Sequence, residues 1–360
     1  MTKNQLIYIL LLILIILTIN ISTLQHDQQS IQDHSESDLP HYLLIAKHIA
    51  GQQPTLQPRT YQYPPLYPIL LLPTLQQDTI TYILLLDILL SLLTLIPLTK
   101  IIDQYTHNLY LSTTTATSIL LFNIIFSIKA YGYPMILSTL LLTTLFYTLQ
   151  HINKDKKHLI TASITYMLLI MTKYVFFYLT PFILLWVYYT NQKNIKHTIK
   201  KTVYLYTPAI ICFFIYSIYN QLQFGNPIGG YNSLTNTNAF MGIFIDTIPS
   251  KLSSIYTNLE PNIIITYYMI YIIMLSLIYL YTNKRKLPSF TKIYNPQTLT
   301  YHKLLFINFT IFFLLPAMTY NRPYLNWRYL AYATPAYLAY AAIPILLIFK
   351  ETALQLAKRL

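Results

Sequence analysis

The chain has 360 residues, of which 54% are hydrophobic and only 10% are charged, whereas about 25% of residues are charged in a typical globular protein. This composition excludes a cytosolic globular enzyme and a disordered protein, and it predicts an integral membrane protein. The six glycines form neither G-x-G-x-x-G nor G-x-x-x-x-G-K-[ST], so no nucleotide-phosphate loop is indicated. Cys212 is the single cysteine, which excludes an intrachain disulfide and a cysteine metal cluster.

Apolar runs of the length that crosses a bilayer, about 17–25 residues, recur along the chain. The first follows Lys3. We expect an uncleaved anchor there rather than a signal peptide, because its apolar stretch exceeds about 15 residues and no A-x-A-like cleavage site follows. The fifth and sixth runs are short and are joined through Lys173. About ten spans are predicted, at residues 5–24, 79–98, 108–127, 133–150, 158–172, 174–190, 202–219, 263–282, 304–320 and 329–349.

The basic residues indicate how these spans are oriented. With the N-terminus inside, most of the 24 Lys and Arg residues fall on short cytoplasmic segments, and both termini are expected to be cytoplasmic. The net charge of +13 is therefore a topology signal, and no nucleic-acid partner is expected. The predicted fold is an all-α integral membrane domain over residues 1–350, followed by a cytoplasmic tail over 351–360. Two long outer loops, 25–78 and 220–262, are predicted to form folded caps.

The first outer loop contains a predicted interfacial helix. Pro40 suits the first turn of a helix and Gly51 suits its end. Asp38 lies at the N-terminal end of this helix, where it could act as an N-cap or as a catalytic base; an N-cap hydrogen bond would lower its pKa and weaken it as a base. Glu36 is the alternative base. The predicted apolar stripe consists of Leu39, Leu43, Ala46 and Ala50, with Leu44 and Ile45 beside it.

A proline-rich turn follows at Tyr63-Pro64-Pro65-Leu66-Tyr67-Pro68. Prolines fix φ and disfavour helix before them, so the chain is expected to turn sharply here. The apolar residues that follow, closed by Pro73, are too few to span a membrane and are predicted to form a second surface helix.

The order of these elements resembles the polytopic GT-C glycosyltransferases that use lipid-linked sugars, in particular the dolichyl-phosphate-mannose protein mannosyltransferase and aminoarabinose transferase branch. The resemblance covers about residues 1–345. It is carried by a first span, an Asp four residues before Tyr42, the Tyr-Pro-Pro-Leu turn and the Thr172-Lys173-Tyr174 segment. Phe224-Gly225-Asn226-Pro227 and the Arg328-Tyr329 pair before the final span complete it.

The resemblance implies sugar transfer from a polyprenyl-phosphate donor to a glycan, lipid or protein acceptor on the extracytoplasmic face of the cell membrane. It assigns catalysis to Asp38, which stands four residues before Tyr42, while Glu36 stays the alternative base that the loop itself offers. Phosphate departs without protonation, so one base and several cations suffice. The candidate substrate-binding residues are Tyr42, Tyr63, Lys173, Arg322, Arg328 and Trp327.

No cofactor is expected. Many relatives have a second carboxylate after the catalytic Asp, where this chain has Leu39. A divalent metal ion stays an alternative, with Glu36, His34 and His41 as its candidate ligands.

Two other functions remain open. A transporter or flippase would use Asp87, Lys129 and Lys173 along a polar path, although the matching broken halves typical of transporters are not visible. A non-catalytic membrane subunit is the third hypothesis.

Overall fold

The computed structural model describes Leu10, residues 13–18, 39–52, 63–76, 79–127, 134–191 and 194–224, which all belong to one compact unit. Within these ranges the regular structure is helical, and no strand occurs. Residues 13–18 are helical. The other helices are α1 (Leu39–Ile49), α2 (Leu66–Leu70), α3 (Thr79–Thr106), α4 (Leu109–Ser127), α5 (Met135–Gln150), α6 (Lys156–Thr172), α7 (Thr180–Thr190) and α8 (Ile195–Phe224), with 3-10 helices at Leu72–Leu75 and Tyr174–Leu179.

The apolar runs predicted between residues 79 and 219 coincide with α3 to α8. The sixth run, 174–190, differs from the prediction because it begins as a 3-10 helix and becomes α-helical only at Thr180. The backbone of Lys173 is extended and breaks the helix there, with φ −154° and ψ 132°. The predicted spans at 263–282, 304–320 and 329–349 lie outside the described residues, as does most of the span at 5–24.

Two of the described helical segments are long and apolar enough to cross a membrane: Thr81–Gln104, with 24 residues, and Ile195–Gln223, with 29. At 1.5 Å per residue they extend about 36 Å and about 43 Å, against a hydrocarbon core of about 30 Å. Phe214, Ile215 and Ile210 on α8 expose 64%, 61% and 61% of their surface. Apolar exposure along a whole helix is typical of a lipid-facing surface or of one that another apolar element covers. These features support a membrane protein.

The helices pack in a defined order, in which α4 contacts α3, α3 contacts α5, α5 contacts α6, and α6 contacts α8. Asn153, in the turn between α5 and α6, donates a hydrogen bond to the carbonyl of Thr190 at 2.5 Å. The Trp186 indole N–H donates to the Leu149 carbonyl at 3.0 Å. Thr190 is the last residue of α7, and Asn153 lies just before the start of α6. The end of α7 is therefore beside the start of α6, and the two helices run in opposite directions. We call the end of the bundle that carries residues 151–155 the turn end.

The turn between α3 and α4 also lies at the turn end, because the Gln104 side chain contacts His151 at 3.3 Å. His107 has a φ of +48°, a left-handed conformation that lets the chain reverse within two residues. The Asn108 side chain accepts the Leu111 N–H at 3.2 Å and caps α4.

Pro208, inside α8, explains a specific contact between α6 and α8. A proline lacks an N–H and leaves the carbonyl four residues earlier, that of Tyr204, without its helical donor. The Ser163 hydroxyl of α6 lies 3.0 Å from the carbonyls of both Tyr204 and Leu205. Ser163 therefore supplies from a neighbouring helix the hydrogen bond that the proline removes, as small polar residues do between membrane helices.

Candidate functional site

Helix α1 has the ends that the sequence predicted. Pro40 occupies its first turn, and Gly51 follows it with a φ of +78°, which glycine adopts without steric cost. The Gln52 N–H donates to Lys47 and the Gly51 N–H to His48, both at 3.0 Å. These two bonds form a Schellman cap, which satisfies the last carbonyls of the helix.

The buried face of α1 differs from the predicted stripe. Tyr42, Ile45 and Ala46 are buried, whereas Ala50 is exposed and Leu43 is half-buried. Ala46 and the neighbouring Ile45 of the predicted stripe are buried, but Ala50 is not, and the stripe did not include Tyr42. An aromatic ring buries more area than these side chains, and here it finds aromatic partners.

Tyr42 is the centre of an aromatic cluster that joins α1 to the proline-rich turn. Its ring meets Tyr63 edge-on at 4.8 Å between centroids and Tyr67 at 5.1 Å. The His41 ring stacks on Tyr63 at 5.6 Å. The Tyr216 hydroxyl of α8 donates to the Tyr63 carbonyl at 3.1 Å. These contacts hold α1 and the turn on α8, at the end of the bundle opposite residues 151–155. We call it the cap end.

An apolar groove of about 350 Å³ opens at the cap end. α1, α2, the last turn of α6 and α8 all contribute to it. His48 contributes an imidazole to its lining, and the His48 ring lies 6.4 Å from that of Tyr219. A groove of this composition fits a hydrocarbon chain better than a sugar ring. Its lining includes Ile45, His48, Ile69, Met171, Cys212 and Tyr219.

The structure brings together some of the predicted site residues. Tyr42 and Tyr63 touch each other, and both are buried. Lys173 follows the groove residue Met171 by two positions, at the cap end of α6. The remaining predicted residues lie outside the described ranges: Glu36, Asp38, Arg322, Trp327 and Arg328. Asp38 directly precedes α1 in the chain.

Sequence reasoning missed His48, Tyr216 and Tyr219. The two tyrosines stand three apart on α8, so they share a face, and their rings stack at 6.1 Å. That spacing was visible in the sequence, but it could equally have marked an interfacial belt. The partner of this face, α1, is about 170 residues distant, and no local pattern indicates it.

The turn end has a different chemistry. Both ring nitrogens of His151 have a hydrogen-bond partner. Nδ1 lies 2.8 Å from the Tyr147 carbonyl oxygen, and Nε2 lies 3.3 Å from the side-chain amide nitrogen of Gln104. Burial lowers the pKa of His151. Because a carbonyl must receive a proton from Nδ1, the neutral ring carries its hydrogen there and accepts from Gln104 at Nε2.

Asp155 caps α6 at the same end. Its carboxylate accepts the His158 N–H at 2.9 Å and contacts the His158 ring at 2.7 Å. The hydrogen bond from the His158 N–H is the largest cause that lowers the pKa of Asp155. His158 also stacks on His151 at 5.2 Å.

No group of three His, Cys, Asp or Glu side chains that could hold a metal ion occurs in the part of the chain that the structure describes. His34 and Glu36, two of the three alternative ligands, lie outside that part. Neither the protein families nor the curated proteins and solved structures provide a match to this chain.

Proposed function

We propose that the protein is a membrane glycosyltransferase that takes a sugar from a polyprenyl-phosphate donor and acts at the cap end. One observation carries the proposal. Tyr42 and Tyr63, which belong to two separate motifs of the resemblance, pack into one cluster beside a groove lined by apolar side chains. A lipid-linked donor needs such a place for its hydrocarbon chain, next to the residues that handle its polar head.

The chemistry proposed for this site needs three groups. A carboxylate, Asp38, removes the proton of the acceptor hydroxyl as the hydroxyl oxygen attacks the anomeric carbon. The bond from the anomeric carbon to the phosphate oxygen breaks, and the electron pair leaves with the phosphate. Arg322 and Arg328 stabilise that phosphate, because a guanidinium matches its oxygens bidentately. Direct attack opposite the leaving group inverts the anomeric centre.

The test is a cell-free transfer assay with membrane fractions and radiolabelled polyprenyl-phosphate sugars. Asp38→Asn should lower transfer by about 10²–10⁴-fold, the usual contribution of a general base, while the protein still inserts. Asp33→Asn in the same loop is the matched control and should retain activity. Wild-type turnover by Asp38→Asn, with loss in Glu36→Gln, would move the base to Glu36. Retention in both variants would refute the proposed mechanism.

The same assay separates this function from the alternatives. Translocation of a lipid-linked substrate by the reconstituted protein, without sugar transfer, would favour a flippase. Absence of both activities would favour a non-catalytic subunit.

The proposed topology has about ten spans, both termini in the cytoplasm and the cap end outside. It is supported by the separation of Lys154, Lys156 and Lys157, at the turn end, from the aromatic cluster at the cap end. Single cysteines in a Cys212→Ser background test it. A membrane-impermeant maleimide applied to intact cells should label Gln52→Cys and not Lys157→Cys; the reverse pattern would invert the topology.

A further inference from the structure

Six lysines from two segments of the chain lie together at the turn end. Lys201, near the start of α8, donates hydrogen bonds to the side-chain oxygens of Asn153 and of Asn191, the latter at 2.9 Å. Asn153 is in the turn before α6, so these contacts hold the start of α6 beside the start of α8. We call the resulting basic region the lysine surface; it consists of Lys154, Lys156, Lys157, Lys196, Lys200 and Lys201.

The charge of the lysine surface is not neutralised by the described residues around it. All of its lysines except Lys201 are exposed. Asp155 is the acidic residue among them, and its carboxylate is already engaged by His158. None of the six lysines forms an ion pair with a carboxylate of the described residues.

Exposed apolar side chains adjoin the lysine surface on α8. Ile199 and Val203 expose 58% and 57% of their surface, and they alternate with Lys196 and Lys200 at helical spacing. Tyr204, 58% exposed, follows directly. A soluble acidic partner would leave these apolar side chains in water. A lipid leaflet accommodates both, because its hydrocarbon covers the isoleucine and valine while its headgroups lie at the level of the lysines.

We infer that the lysine surface binds the headgroups of anionic phospholipids in preference to zwitterionic ones. Each of the five exposed ammonium groups donates hydrogen bonds to lipid phosphate oxygens, and the uncompensated positive charge selects lipids with net negative charge. The lysine surface has this role whether or not the protein transfers sugars, because it lies at the end of the bundle opposite the aromatic cluster.

The experiment measures the lipids that the full-length protein retains. The protein is released into detergent, mixed with equal amounts of phosphatidylglycerol and phosphatidylcholine, and the ratio of bound lipids is measured by native mass spectrometry. We expect phosphatidylglycerol to dominate for the wild type. Lys200→Gln should reduce that preference by up to about five-fold, the effect of one lysine near a membrane surface.

Two further variants complete the comparison. Simultaneous Gln substitution of Lys154, Lys156, Lys157, Lys196 and Lys200 should abolish the preference, and Arg substitution at the same five positions should keep it. If the five-fold Gln variant does not fold, the single variants Lys200→Gln and Lys156→Gln are compared with the wild type instead, and each should lower the ratio of bound phosphatidylglycerol to phosphatidylcholine.

Lys47→Gln, which removes an exposed lysine at the cap end, is the matched control and should leave the bound-lipid ratio unchanged. An unchanged ratio in the Gln variants would overturn the inference. Equal loss in Lys47→Gln, or full competition by inorganic phosphate at the concentration of the lipid, would also overturn it, because the effect would then reflect total charge or a simple ion site.

Discussion

Replacement of Tyr42 by leucine should loosen α1 from the bundle without unfolding the bundle. Tyr42 is completely buried and makes edge-on contacts with Tyr63 and Tyr67. An aromatic pair contributes about 0.5–1.5 kcal/mol beyond its buried area, so the loss of two pairs costs about 1–3 kcal/mol in the free energy that docks α1. Leucine fills part of the ring volume and limits the additional cost of a cavity.

Because 1.4 kcal/mol corresponds to a factor of ten, the population with α1 undocked should rise about 5- to 150-fold. Hydrogen exchange followed by mass spectrometry measures this directly on the amides of Leu43–Ile49. Their exchange should accelerate by that factor, while the amides of α6 exchange as in the wild type. Tyr204→Leu, which removes an exposed tyrosine from α8, is the control and should leave α1 unchanged. Wild-type exchange of α1 in Tyr42→Leu, or equal acceleration throughout α6, would refute the reasoning.

Three further perturbations address the helix bundle. Ser163→Ala removes the donor that lies 3.0 Å from the Tyr204 carbonyl and should lower the free energy of unfolding by about 0.6–1.7 kcal/mol; Pro208→Ala in the same chain should recover most of that loss in thermal unfolding. Trp186→Phe loses the bond to Leu149 and some buried volume, so we expect about 2 kcal/mol of destabilisation, against little change for the exposed Thr161→Ala. Burial lowers the pKa of His151 below its ordinary value of 6.5, so the unfolded chain binds more protons just below that pH. The free energy of unfolding should therefore fall as the pH drops from about 6.5 towards the pKa of His151 in the folded protein, and then level off. His151→Gln should reduce this pH dependence, and an unchanged pH dependence in that variant would refute the assignment to His151.

The sequence was sufficient to locate most helices of the described region. Apolar runs at 79–98 and 202–219 found the interiors of α3 and α8, because the length of a span follows from the thickness of hydrocarbon. The observed ends lie further out, since helices continue into the aqueous boundary where no apolar signal remains. Gly51 marked the end of α1 because its left-handed φ strongly favours glycine.

The candidate site was less accessible to sequence reasoning. The groove joins Ile45 to Met171 and Tyr219, and only the tertiary packing of α1 and α2 at the cap end brings these residues together. Tyr42 was predicted as a substrate contact, yet it is buried under Tyr63 and Tyr67. A buried tyrosine and an exposed one have the same local sequence signal, so the distinction depends on partners distant in the chain.

The proline in α8 has a consequence for the order of assembly. An isolated α8 in hydrocarbon would carry the Tyr204 carbonyl without a donor, a cost of the kind that membrane helices avoid. The donor, Ser163, belongs to a helix synthesised earlier. The Tyr204 carbonyl therefore gains its donor only when α8 lies against the previously synthesised α6, and sliding of one helix along the other by a single turn would uncover the carbonyl again. The Ser163 hydroxyl thus adds a specific constraint on register to the extensive packing of the two helices.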